Sequence, residues 1–301
     1  MSYSLTPEAR LESLIEALPY IQRFRGQTFV IKYGGAAMED DQIVELFLRD
    51  VVFLEAVGIN PVLVHGGGKA ITARMKAAGQ QARFVNGLRV TDAQAITIVE
   101  STLDHEINPS IVKNILKYGG KATGFSGRDV FQARRLKAQT NENGILEDIG
   151  FVGEAIGITA DQVRAAVHDE IVPVISPIGA TEDGTVLNIN ADIAAGALAA
   201  SLQASKLIYV SDVTGIMHNP NDPETLFPSV TSKEIDELIK RNIIAGGMIP
   251  KVRSATTALA AGVEKVHLIG GRIAHSLLLE IFTDSGIGTE IREKEKSRRP
   301  G

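Results

Sequence analysis

Apolar and polar positions divide the chain into buried strands that alternate with amphipathic helices. Leu11, Leu14, Ile15, Leu18 and Ile21 share one face at helical spacing, behind Thr6 as N-cap and Pro7 as first helical residue. Pro19 lies inside that pattern and predicts a break or kink near Leu18. This helix precedes the first strand and belongs to no strand–helix unit. It is therefore either packed on its own domain or an arm that packs on another subunit. Thr28-Phe29-Val30-Ile31-Lys32-Tyr33 reads as the first strand, and Ile43, Leu46, Phe47, Val51 and Leu54 as the inward face of the next helix. Then comes Pro61-Val62-Leu63-Val64, an unbroken apolar run that suits a strand covered on both faces, as in parallel sheets.

Further along, Asn86-Gly87 between Phe84-Val85 and Leu88-Arg89-Val90 predicts a hairpin turn. Thr91 to Gln94 reads as a capping box, and Gly119-Gly120 closes the helix that follows. Short alternating runs from about Lys121 to Ile156 predict small antiparallel strands. Regular order resumes with a capping box at Thr159 to Gln162, a strand at Ile171 to Ile175 and an alanine-rich helix from Ala191 to Leu202. Leu207 to Asp212 reads as another buried strand, followed by an Asn-, Asp- and Pro-rich loop, expected to be mobile, that runs to Pro228. A capping box at Thr231 to Glu234, a strand at Lys265 to Ile269 and a short apolar helix at His275 to Phe282 complete the pattern.

Candidate chemistry gathers where strands end in glycine. The central run continues into His65-Gly66-Gly67-Gly68-Lys69 and then a helix. Backbone N–H groups without Cβ atoms, together with a helix N-terminus, favour an anion there, although such turns also occur for packing alone. The stretch is neither a P-loop, which needs glycine at Leu63 and Ser or Thr at Ala70, nor a dinucleotide fingerprint, which needs glycine at Ile71. Lys32 ends the first strand before Gly34-Gly35, at the sheet edge where open α/β folds bind ligands. Asn188, Asn190 and Asp192 precede the alanine-rich helix; an N-cap accounts for one of them. Lys251 falls in the first turn of a helix behind Gly246-Gly247, where a cation opposes the dipole unless an anion sits nearby.

Composition narrows the class. A chain of 301 residues fits one large α/β domain or two lobes. The formal charge of −5 and the absence of long basic runs argue against a nucleic-acid surface, the short Lys296 to Arg299 tail reading as solvated. With no cysteine and no HExxH-type spacing among six histidines, thiolate and imidazole metal sites are not expected. No run is long enough to span a membrane and no signal-peptide pattern opens the chain, so a cytoplasmic protein is expected.

Taken in order, Lys32-Tyr33-Gly34-Gly35, His65-Gly66-Gly67-Gly68, Asn86-Gly87-Leu88-Arg89-Val90-Thr91-Asp92, Asn188-Ile189-Asn190-Ala191-Asp192 and Gly246-Gly247-Met248-Ile249-Pro250-Lys251 resemble the amino acid kinase family. The two asparagine-bearing motifs, Asn86 to Asp92 and Asn188 to Asp192, narrow the resemblance to members that phosphorylate the side-chain carboxylate of N-acetyl-L-glutamate, the second step of arginine biosynthesis. It implies a three-layer αβα sandwich with an open, mostly parallel central sheet. Residues 25–200 would form the lobe for the amino acid substrate and residues 201–301 the lobe for ATP. Carried over by position, Lys32 and Lys251 would sit on the phosphoryl group with Asp192 holding both. Gly67, Gly68, Arg89 and Asn188 would bind the substrate, while Gly34, Gly35, Asp212 and Lys251 would serve the nucleotide. Mg2+ would be held mainly by ATP phosphates and water. A side-chain carboxylate, with an ordinary pKa of about 4.3, is already an anionic nucleophile near neutral pH, so no general base is needed.

Arginine-inhibited members of the family resemble this chain in the helix before the first strand and in the stretch from His275 to Thr289. The resemblance implies a homohexamer, a trimer of dimers joined through residues 1–24, with L-arginine at His267, Glu280 and Gly286. Ile269-Gly270-Gly271-Arg272 departs from the usual Ile-Asp-Gly-Arg and removes one carboxylate, which bears on arginine affinity. A nitrogen-signalling PII protein docks on the nucleotide lobe of some members. The alternatives are a kinase for another small acid and a non-catalytic arginine sensor.

Overall fold

The computed structural model describes residues 6–140, 144–284 and 286–293; the basic tail lies outside them. Eight strands form the central sheet in the order Ser229–Thr231, Thr289–Arg292, Lys265–Gly270, Lys206–Ser211, Thr28–Tyr33, Asn60–His65, Val172–Ile175 and Ala122–Phe125. Lys265–Gly270 and Thr289–Arg292 pair antiparallel, and the other pairings are parallel. The fold is thus the expected α/β class with a mostly parallel sheet.

Strand periodicity produces the layers. Val30, Val62, Val64, Leu207 and Tyr209 face one core with the helices Ala191–Leu202 and Met248–Ala260. Phe29, Ile31, Tyr33, Leu63 and Ile208 face the other, against the helices Asp41–Ala56 and Asn108–Lys117. Both faces being covered, these strands read as continuous apolar runs. Register then aligns the chemistry: Lys32 lies beside Val64 and Tyr209, and Tyr33 beside His65. Lys32 and the glycine turn therefore leave the sheet at one edge.

Several local expectations need correction. The first helix continues from Pro7 to Phe24 through Pro19, so the proline does not break it. Proline removes a single N–H, whose acceptor would be Ile15, an exposed position where solvent replaces it. Asp92, not Thr91, caps the next helix, accepting from Gln94 N and Ala95 N, while the Thr91 hydroxyl donates to Arg89 O. The helix Asp161–His168 has Ala160 at its N-cap, whose methyl offers no acceptor; Thr159 lies one residue too early, its N–H bonded to Val130 O. Ala122–Phe125 joins the main sheet as a parallel edge strand rather than an antiparallel excursion. Phe131–Arg135 and Val152–Ile158 do pair antiparallel, and with Ile178–Ala180 and Val186–Ile189 they close a small barrel. The Asn86-Gly87 hairpin is present with φ of 50° and 78°, and Thr231–Glu234 is a complete capping box. A π-helical segment, Ser101–Ile107, had no sequence signature.

Candidate active site

The C-terminal edge of the sheet opens into a cavity of about 740 Å³ lined in part by Lys32, Gly35, Gly67, Gly68, Arg89, Asn188, Asp192 and Asp212. Asp192 is its electrostatic centre. Asn190 caps the alanine-rich helix by accepting from Asp192 N and Ile193 N, which sets the Asp192 carboxylate in the first turn where the dipole favours an anion. Lys32 Nζ stands 3.3 Å from its Oδ1 and Lys251 Nζ 2.8 Å from its Oδ2. Burial pushes the carboxyl up, but Lys32 and then Lys251 outweigh it and hold the pKa at about 2. Burial lowers Lys251, and Asp192 opposes that shift. Lys251 does sit in the first turn of its helix, and Asp192 is the anion that position requires. Two ammonium groups share this one carboxylate, with the Asp212 carboxylate also acting on Lys251, and together they offer donors suited to a group of spread negative charge.

The glycines surround this centre. A Cβ on Gly34 would come within 2.8 Å of Lys32 Nζ, so glycine lets the ammonium fold back over the turn. Gly35 has φ 66°, and a Cβ there would lie 2.5 Å from Asp212 Oδ1; Asp212 thus packs against Gly35. Gly34 and Lys251 stand behind the cavity lining rather than in it.

Arg89 approaches from the hairpin and is nearly buried. Its Nη2 donates to Gly68 O at 2.8 Å and Thr72 Oγ1 at 2.9 Å, and Phe84 stacks 4.7 Å from the guanidinium carbon. Burial alone lowers its pKa, and among the described residues no carboxylate pairs with it. Asn188 donates to Thr91 Oγ1 at 3.2 Å beside the same cavity.

Residues not anticipated tie the centre together. Ser254 donates to Asp192 O and accepts from Tyr209 Oη, whose ring carries Lys251 Nζ 5.0 Å above its centroid. Ser254 lies one helical turn from Lys251, the only signal available beforehand. Thr72, one turn after Gly68, is the other addition. Among the described residues no group of three or more His, Cys, Asp or Glu is placed to hold a metal.

His267, Glu280 and Gly286 meet at the far side of the molecule. His267 Nδ1 is 2.6 Å from Glu280 Oε1, and its Nε2 is 3.0 Å from Lys206 Nζ. Glu280 Oε2 accepts from Ile287 N and Gly288 N. Burial lowers His267 against Glu280, while burial raises Glu280 less than His267 and these N–H groups lower it. Gly286, at φ 60°, brings the chain within contact of the carboxylate. Both Glu280 oxygens are thus engaged inside the chain.

Among the described residues no helix is long and apolar enough to cross a membrane. Residues 27–270 match the model of the amino acid kinase family. An acetylglutamate kinase of Akkermansia muciniphila is 52% identical over 285 residues, covering 94% of this chain and 95% of that protein. One from Methanocaldococcus jannaschii is 48% identical over 287 residues, 94% of this chain and 96% of the relative. Among solved structures, N-acetylglutamate synthase from Neisseria gonorrhoeae, complexed with coenzyme A and N-acetyl-glutamate, superposes with a TM-score of 0.83 at 26% identity. That match covers 94% of this chain and 63% of the synthase. The chain belongs to the amino acid kinase family, within its acetylglutamate kinases.

Proposed function

We propose that the protein transfers the γ-phosphoryl group of ATP to the side-chain carboxylate of N-acetyl-L-glutamate, giving the 5-phosphate and ADP in arginine biosynthesis. The observation that carries this reading is one cavity with two different cationic sites: Lys32 and Asp192 on its floor, backed by Lys251, and the carboxylate-free Arg89 on its wall. Arg89 suits an α-carboxylate, and Asn188 and the N–H groups of Gly67 and Gly68 suit the amide and the approaching anion. A carboxylate oxygen attacks phosphorus, the bond to the ADP oxygen breaks, and Lys32 and Lys251 receive the charge that spreads over the transferring group. Asp192 spaces the two ammonium groups. Residues 25–200 act as the amino acid lobe and residues 201–301, with Asp212, as the nucleotide lobe, while Gly34 and Gly35 of the first lobe reach the ATP phosphates. The test is hydroxylamine trapping with ATP, magnesium and N-acetylglutamate. Hydroxamate is expected; hydroxamate formed only with aspartate or another small acid would move the substrate, and none with any acid would remove the kinase reading.

Regulation by L-arginine in a cytoplasmic homohexamer is the finer part of the proposal, and two observations favour it. The helix Pro7–Phe24 exposes Leu11, Leu14, Ile15 and Leu18, an apolar stripe suited to another copy of the same helix. His267, Glu280 and Gly286 also lie together near its C-terminal end, where Tyr20 bonds Asp284 and Lys206 Nζ lies 5.0 Å from the Phe24 ring. A guanidinium ligand would have to take Glu280 from His267. A PII-type partner on the nucleotide lobe is part of the same family-derived proposal and is tested by co-sedimentation.

A further inference from the structure

His65 is fully buried beneath the glycine turn and is not itself part of the cavity lining. Its Nδ1 is 2.9 Å from the carbonyl oxygen of Gly66. A carbonyl only accepts, so Nδ1 carries the proton. Nε2 lies 3.3 Å from Asn108 Nδ2, whose amide also donates to Val174 O at 2.8 Å. Nε2 therefore accepts, and a doubly protonated ring would set two donors against each other. Burial agrees with the geometry, lowering the imidazole to about 4 against the opposing pulls of Gly66 O and Asp104.

The carbonyl that His65 holds belongs to the same planar peptide as the N–H of Gly67. In a trans peptide, C=O and N–H point in opposite directions, so fixing the one aims the other. Gly66 and Gly67 line the cavity while His65 lies behind it. Below the turn, the π-helical segment closes the remaining freedom: a Cβ on Gly67 would lie 2.7 Å from both Ile107 Cδ1 and Leu103 Cδ2. Asn108 follows that segment directly. Nothing in the transfer chemistry otherwise uses His65, Asn108 or the π turn.

We infer that His65, held in its Nδ1–H form by Asn108, is a positioning residue that aims the Gly67 N–H at the anionic group in the cavity. The inference rests on the kinase reading above and adds to it a part that no cavity-lining residue supplies. It separates the two imidazole nitrogens: only Nδ1 does the aiming. Asparagine places a donor near the Nδ1 position, whereas glutamine places one near Nε2 and leucine places none.

The test compares wild type with His65→Asn, His65→Gln and His65→Leu for kcat, KM and melting temperature. The wild-type hydroxamate yield, measured first, decides the kinase reading independently of the variants. With wild type active, His65→Gln and His65→Leu are expected to lose about 10- to 100-fold in kcat, a fraction of what removing an oxyanion donor costs, with KM for ATP unchanged. His65→Asn is expected to recover most of that loss at similar stability. Equal activity of the Asn and Gln variants, or losses that merely follow melting temperature, would overturn the proposal. A second readout needs no variant: the 15N shifts of His65 in the intact protein. They are expected to report a neutral Nδ1–H imidazole from pH 5.5 to 8, and an Nε2–H tautomer there would overturn the inference.

Discussion

Lys251 Nζ rests 2.8 Å from Asp192 Oδ2 across 59 residues of chain, joining the first turns of two helices packed on the same sheet face. Asp192 favours its own helix dipole and cancels the cost Lys251 imposes on the other. With Lys32 on Oδ1, the cluster gathers two ammonium groups where the phosphoryl group would pass. Replacing Lys32 or Lys251 by Ala is expected to lower kcat by about 100- to 1,000-fold. KM for N-acetylglutamate should move far less, because the charge being stabilised develops during transfer. Steady-state kinetics of both variants decide it: wild-type turnover in both would remove the assigned roles.

Asp192 also bears on acid stability. Its carboxyl titrates at about 2 in the fold against 3.8 ordinarily, so the unfolded chain binds the extra proton first. The stabilisation is whole above about pH 4 and is lost as pH falls through 2. It amounts to about 2 kcal/mol. Asp192→Asn leaves two buried ammonium groups without their counter-charge and should cost about 3 kcal/mol at pH 7. Urea denaturation of both proteins should show the gap narrowing as pH is lowered toward 2; a constant gap would place the effect in packing instead.

Arg89 differs from the lysines in having no anionic partner and in being preset by Gly68 O and Thr72 Oγ1. Arg89→Ala should raise KM for N-acetylglutamate by about 10- to 100-fold, the worth of a charge-assisted hydrogen bond, and leave KM for ATP near wild type. Arg89→Lys should recover little, since an ammonium cannot bridge Gly68 O, Thr72 Oγ1 and a carboxylate in one plane. Substrate titrations at saturating ATP provide the measurement.

Strands covered on both faces were legible as far as their ends: Thr28–Tyr33 has the bounds its apolar run suggests, and so has the helix Ala191–Leu202. The positions of Lys32, Asp192 and Lys251 followed from glycine turns and helix starts, which are local signals. Their mutual contact is not local, and motif order alone related them. Cap chemistry was legible by spacing but not by choice. Thr91 and Asp92 both offer an oxygen ahead of the same helix, and Thr91 is withdrawn by Arg89 O. The His65–Asn108–Val174 chain left no trace in sequence, since a histidine after a buried strand has many uses and its partners come from a π-helical boundary and a distant strand. The same applies to Asp104, whose carboxylate joins the Ser126 and Ser176 hydroxyls across three elements.

Asp50, on the helix Asp41–Ala56, is almost fully buried and lies 2.6 Å from His275 Nδ1. Burial raises its pKa to about 6, against the lowering by His275 and by the N–H groups of Leu278 and Leu277. A carboxyl raised in the fold stabilises when protonated, so its contribution is present below 3.8 and is lost as pH rises through 6. Asp50→Asn should therefore gain about 1–3 kcal/mol relative to wild type at pH 8 and close to nothing at pH 4. Denaturant titrations at the two pH values check it. A loss at pH 8 would mean that the charged His275 contact outweighs the burial of Asp50.

The helix Pro7–Phe24 turns its exposed leucines away from the body, while Tyr20 and Phe24 hold its other end against Phe282 and Phe29. Deleting residues 1–24 removes the apolar stripe and Phe24, which covers Phe29 and Lys206, but leaves the cavity and its lysines intact. The truncated chain is expected to sediment as a dimer with kcat within about threefold of wild type, since the deleted segment shares no partner with the cavity residues. Its response to arginine should weaken, because Lys206 and the His267–Glu280 pair lose their cover on that side. Sedimentation velocity tests the assembly and turnover with and without arginine tests the regulation: a truncated protein that kept the full-length mass ratio would remove the helix from the assembly, and unchanged arginine inhibition would move the ligand away from Glu280.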